Sequence, residues 1–91
     1  MNLSQLKKKF KKKVHAINYA RIYHPWELLK MKYLDHLEVR FPTNSYCIER
    51  ENGIWKVYYK ERGVVFDEKI FASEKEACEY FEKWVMSQIG A

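Results

Sequence analysis

The chain is poor in the residues that most small sites are built from. Its two cysteines, Cys47 and Cys78, stand far apart and form no C-x-x-C pair, which excludes a disulfide framework and a cysteine-based zinc module. The three glycines, Gly53, Gly63 and Gly90, fall at turns or at a helix end, so no glycine-rich loop is present to cradle a phosphate. His15, His24 and His36 have no cysteine or carboxylate at metal-ligand spacing. No apolar run approaches the roughly 18 residues of a membrane span. The lysine cluster near the start is never followed by an apolar segment of the signal-peptide kind. These readings predict a cytoplasmic protein with free thiols, no metal and no cofactor. Nor is there a Cys–His nucleophile arrangement, and neighbouring carboxylates such as Asp67 and Glu68 fall on opposite faces of one strand. The expectation is a protein that is not an enzyme.

Aromatic residues, by contrast, are abundant. Seven Tyr, five Phe and three Trp in 91 residues can fill the core of one small domain, each burying on the order of 150–250 Å². Charge is unevenly distributed. Lys7, Lys8, Lys9, Lys11, Lys12 and Lys13 are six of the seventeen basic side chains, so the remaining eleven face twelve acids and the net +5 is a local feature. Between Glu49 and Lys69 five bases meet five acids. A surface that grips phosphates would carry a surplus there.

The most informative stretch runs from Asn44 to Trp84. Tyr46–Arg50 and Ile54–Lys60 alternate apolar and polar side chains as half-buried strands do, and Asn52-Gly53 between them tolerates positive φ, a hairpin signal. Glu61-Arg62-Gly63 turns the chain into a third strand, Val64 to Phe71. Glu68 lies on the apolar side of that strand between Phe66 and Ile70, which demands a bulge or a place at the core's edge. Ser73 with Glu76 forms a capping-box pattern ahead of Ala77, Tyr80, Phe81 and Trp84 at helical spacing.

Before this core, Leu3, Leu6, Phe10, Val14 and Ile17 predict an amphipathic helix over residues 2 to about 22, capped by Asn2 or Ser4. Pro25 suits the first turn of a second helix reaching about His36, with Trp26, Leu29, Tyr33 and Leu37 as its stripe. The segment Leu37–Phe41 fits either a helix end or an extra edge strand. The fold expected is α+β: N-terminal helices in 1–43, then a three-stranded antiparallel meander and a C-terminal helix on one sheet face in 44–91, all in one domain. The opposite face would show Glu49, Lys56, Tyr58, Lys60, Asp67 and Lys69, a mixed-charge patch around an exposed tyrosine of the kind seen at protein interfaces.

Residues 44–84, and most distinctively Val57–Gly63 (V-Y-Y-x-E-R-G) and Ser73–Phe81 (S-E-x-E-A-C-x-Y-F), resemble the small immunity proteins encoded beside bacterial polymorphic toxins, including those of contact-dependent growth inhibition systems. The resemblance implies a protein without catalytic activity that binds the C-terminal domain of its cognate toxin, often a nuclease, and blocks the active site. The toxin-binding residues it suggests here are Glu49, Lys56, Tyr58, Lys60, Glu61, Arg62 and Asp67, with Tyr58 and Arg62 as anchors. Three strands and a helix are also similar to the DNA-binding domains of phage-integrase arms and plant AP2 proteins, in which the sheet enters the major groove. On that alternative the basic N-terminal helix would supply phosphate contacts. A double-stranded RNA-binding domain shares the order too, but its basic signature is replaced by Ser73-Glu74-Lys75-Glu76.

Overall fold

A computed structural model describes residues 1–15, 21–23 and 35–89. Its order is helix α1 (Leu3–His15), strands β1 (Arg21–Tyr23), β2 (His36–Arg40), β3 (Asn44–Glu51), β4 (Ile54–Glu61) and β5 (Val64–Phe71), and helix α2 (Glu74–Ile89). Four antiparallel strands of five to eight residues, β2 to β5, carry a three-residue edge strand, β1, in the sheet order β1-β2-β3-β4-β5.

The meander follows from its turns. The β3–β4 and β4–β5 loops have two residues each, with positive φ at both positions: Asn52 at 54° and Gly53 at 77°, then Arg62 at 51° and Gly63 at 81°. Turns of that hand match the twist of the strands they join. In β5 the register against β4 shifts between Val57 and Tyr59, where Asp67 adopts φ 51° and, with Glu68, opposes the single residue Tyr58. The bulge resolves the misplaced Glu68 by re-phasing the strand. Phe66 then pairs with Tyr59 and Phe71 with Trp55, on the apolar side, whereas Ile70 pairs with Lys56 on the other. The expectations that Ile70 joins the core and that Lys69 joins the charged face are both corrected, since Lys69 pairs with Val57.

The helical reading of residues 1–43 holds for Leu3–His15 and is corrected beyond it. Arg21–Tyr23 and His36–Arg40 are strands, so among the described residues the sheet has five strands and not three. Leu37 and Val39 alternate with His36, Glu38 and Arg40, and their cross-strand partners Ile48 and Tyr46 bury them, which decides the segment for β structure. Because β1 pairs its far side, β2 is not an edge. The second helix expected after Pro25 lies, apart from Asp35 and His36, outside the described residues.

Both described helices lie on one face of the sheet. Leu3, Leu6 and Phe10 of α1 and Ala77, Cys78, Phe81 and Val85 of α2 form a single core with Leu37, Val39, Tyr46, Ile48, Trp55 and Val57. Aromatic edge-to-face pairs join the two helices (Phe10 with Phe81 at 5.6 Å between centroids), the sheet to α2 (Tyr46 with Trp84 at 4.9 Å) and the β2–β3 loop to β3 (Phe41 with Tyr46 at 5.8 Å). The two helices run in the same direction, joined near their starts by the Leu3 N–H, which donates to Glu74 Oε2 at 2.8 Å, and further along by a Lys9–Glu82 ion pair. Asn2 is the cap of α1, exchanging hydrogen bonds with Gln5 (2.9 and 3.0 Å). With no acid in its own first turn, α1 borrows the Glu74 carboxylate for its N-terminus. At α2, the Glu76 N–H donates to Ser73 Oγ at 3.3 Å, as the sequence pattern predicts.

Cys78 lies in the helix–sheet core and Cys47 on the opposite side of the sheet, both without solvent exposure. Burial pushes the Cys47 thiol up to about 12 and the Cys78 thiol up to about 11. Since the thiolate is the reactive form, neither is expected to react with iodoacetamide at pH 8 in the folded protein, while both react in denaturant. Alkylation followed by mass measurement checks this, and rapid native modification of Cys47 would place it at the surface.

Candidate binding face

The sheet face away from the helices is polar, and its registers form a grid. Across β2, β3 and β4, Arg40, Ser45 and Lys60 stand opposite one another, then Glu38, Cys47 and Tyr58, then His36, Glu49 and Lys56. Val65 and Ile70 extend the first and third rows on β5. Strand alternation puts these side chains on one surface while their neighbours fill the core.

Its centre is Glu38, a carboxylate only 2% exposed. Oε2 lies 3.3 Å from Arg40 Nη2, Oε1 lies 3.4 Å from Lys60 Nζ, and His36 Nε2 is 4.0 Å from Oε1. A buried carboxylate of this kind persists only where cations surround it. His36 Nδ1 is also 3.4 Å from Glu49 Oε2, although among the described residues neither ring nitrogen completes a hydrogen bond. That side-chain contact, opposed by desolvation and assisted by Lys56 and Lys60, holds Glu49 below the usual carboxylate range. Tyr58 is half-buried rather than exposed, and desolvation raises its phenol above the ordinary value.

A pH dependence follows for Glu49. Its folded pKa lies below the unfolded value of about 4.3, so it stabilises the protein above that value, and the contribution is lost as pH falls through the folded pKa. Glu49→Gln is therefore expected to be less stable than the parent at pH 7 and to converge with it near pH 2. Urea midpoints measured between pH 2 and 7 check this, and a gap constant with pH would rule the linkage out.

Of the residues singled out from the sequence, Glu49, Lys56, Tyr58 and Lys60 are brought together on this face. Glu61 is not among them: it sits in the helix-side phase of β4, its Oε2 accepting a hydrogen bond from Tyr59 Oη at 3.2 Å. Arg62 occupies the β4–β5 turn and Asp67 the β5 bulge, both at the rim. His36, Glu38 and Arg40 were not singled out. Their alternation with Leu37 and Val39 is the signal that could have placed them beside the others.

At the Arg40 end the face opens into a cleft of about 330 Å³ between the β2–β3 loop and the β4–β5 turn, lined by Arg40, Thr43, Asn44, Ser45, Lys60 and Arg62 among others. Along the adjoining edge, β5 is exposed over nearly its whole length, with Val64 53% and Ile70 62% accessible and Val65 and Phe66 close behind. Among the described residues, no cluster of three or more His, Cys, Asp or Glu side chains could hold a metal ion, and no helix is long and apolar enough to cross a membrane. On this face the Cys47 thiol is held protonated and the Glu38 carboxylate lies against Arg40 and Lys60. Comparison with protein-family models, curated proteins and solved structures found no match.

Proposed function

We propose that the protein is a non-catalytic immunity protein that binds the C-terminal domain of a cognate bacterial toxin, of the nuclease class, and neutralises it by covering its active site. The observation that carries this reading is β5: an eight-residue edge strand with four large apolar side chains in solvent, bordering a mixed-charge face. Val65 and Ile70 stand on the mixed-charge face and Val64 and Phe66 on the other side of the same edge, so the strand offers exposed apolar side chains beside charge, as protein interfaces do. A second copy of the chain is a poor occupant. Antiparallel pairing of two β5 strands about their middle would set Asp67 against Glu68, or Glu68 against itself, and like charges opposite one another are destabilising. The bulge at Asp67 further interrupts a regular ladder. A partner with a different surface meets neither obstacle.

Charge disfavours nucleic acid. Glu38 already engages Arg40 and Lys60, Lys56 pairs with Glu51, and Lys9 of the lysine-rich helix is held by Glu82. These four cations are engaged by carboxylates, which leaves the sheet with less charge to neutralise phosphates. A tagged pull-down from native lysate, with and without nuclease and at raised salt, tests the reading when the captured protein is then assayed for toxicity. One stoichiometric partner that survives both treatments and loses its toxic activity in the complex is expected. Bound material that disappears with nuclease would overturn the proposal in favour of nucleic-acid binding.

A further inference from the structure

We propose that β5 docks an extended segment of the protein partner in which one arginine is set between two apolar side chains; in taking β5 for the partner's seat this rests on the function proposed above. On the polar side of the strand three successive rungs are exposed: Val65 opposite Lys60, the bulge opposite Tyr58, and Ile70 opposite Lys56. Lys60 and Lys56 lie four residues apart on β4, which sets the outer rungs about 13 Å from each other at the rise of a strand. The middle rung departs from simple alternation. A bulge sets two residues against one, so Asp67 and Glu68, which a regular strand would send to opposite faces, stand together opposite Tyr58. The row reads apolar, two carboxylates, apolar.

Among the described residues, neither of these carboxylates has an ion-pair partner. Of the two lysines beside the row, Lys60 reaches Glu38 at 3.4 Å, and Lys56 is held chiefly by Glu51, at 3.3 Å, and less by Glu68. Lys69 does not fill the place either, because it pairs with Val57 in the helix-side phase of the strand. In the free protein water solvates Asp67 and Glu68, which are both exposed. A partner that covers Val65 and Ile70 takes that water away, and a carboxylate removed from water without a cation is strongly destabilising. The covering segment must therefore bring positive charge to the bulge and apolar surface to either side of it. Arginine meets the first need best: its planar guanidinium carries five donors and can bridge two neighbouring carboxylates, whereas an ammonium is a single point of charge. A nucleic acid is repelled by the same pair, and a second β5 brings two more carboxylates to it.

The test is an ¹⁵N NMR titration of the full chain with acetyl-Val-Thr-Arg-Thr-Val-amide, whose valines and arginine share one side of an extended chain, and with its citrulline analogue, which keeps the shape and lacks the charge. The arginyl peptide should give saturable shifts centred on the amides of residues 65–70, with the citrulline analogue at least fivefold weaker. Asp67→Asn combined with Glu68→Gln should weaken arginyl binding at least fivefold and leave the citrulline response unchanged, at a thermal midpoint close to the parent's, because asparagine tolerates the φ of 51° at residue 67. Equal response to the two peptides, shifts centred outside β5, or no saturable shift would overturn the proposal. So would shifts at these residues that grow with the concentration of the protein alone, which would make β5 a contact between copies. A toxin captured from lysate that the doubly substituted chain binds as tightly as the parent overturns this reading of β5 and keeps the proposed function; arginine-dependent saturation with no toxin among the captured proteins does the reverse.

Discussion

Phe10→Ala is expected to cost about 3–5 kcal/mol, a large part of the total stability of a domain this size. Phe10 is fully buried, meets Phe81 edge-to-face at 5.6 Å, and belongs with Leu3 and Leu6 to the core shared by both helices and the sheet. Its removal leaves a cavity that neighbours on three elements must collapse into. The lysines on the outer side of the same helix should behave differently. Lys11, Lys12 and Lys13 are exposed, and replacing Lys12 by alanine is expected to change stability by no more than about 0.5 kcal/mol. Urea unfolding of the two variants decides what α1 is for. A large loss in Phe10→Ala with little change in the lysine variant makes α1 a structural half of the helical layer. If Phe10→Ala cost under about 1 kcal/mol, α1 would be an appended basic arm, and the nucleic-acid alternative would regain weight.

The parts of the fold legible in the sequence were those fixed by neighbouring residues. Asn52-Gly53 and Arg62-Gly63 mark their hairpins because positive φ demands such residues, and Ser73 announces α2 through a hydrogen bond within one turn. The bulge was signalled by Glu68 falling among apolar residues. What escaped depends on distant partners. Leu37 and Val39 read equally as a helix end or a strand until Ile48 and Tyr46 are set opposite them. The same holds for the binding face. Nothing local reveals that Glu38 is buried, since that requires Lys60, 22 residues away, and the grid that β2 forms with β3 and β4. Tyr58 was expected to be exposed because alternation gives the side of a sheet a residue occupies, but not how deeply it is buried there.

The largest expected effect on binding belongs to β5. Val65 and Ile70 lie on the polar face directly opposite Lys60 and Lys56, and both are exposed. Replacing them together with glutamate removes apolar area from solvent contact and sets each new carboxylate beside a lysine, a cross-strand pairing that contributes roughly 0.2–1 kcal/mol. This offsets the lower strand propensity of glutamate, so the double variant should unfold within about 1 kcal/mol of the parent. Affinity for the partner should fall at least 100-fold, because the apolar centre of an interface carries most of its energy and each anchor typically contributes about 2 kcal/mol. Calorimetric titration alongside urea unfolding separates the two quantities. Unfolding of the variant would mean that β5 is part of the core in spite of its exposure. Unchanged affinity in a folded variant would remove β5 from the interface, and with it the observation on which the immunity reading stands. A folded variant that has lost both affinity and the power to protect cells from the toxin would tie neutralisation to this strand, and the acidic residues introduced there would then show the partner's surface to be apolar where it meets β5.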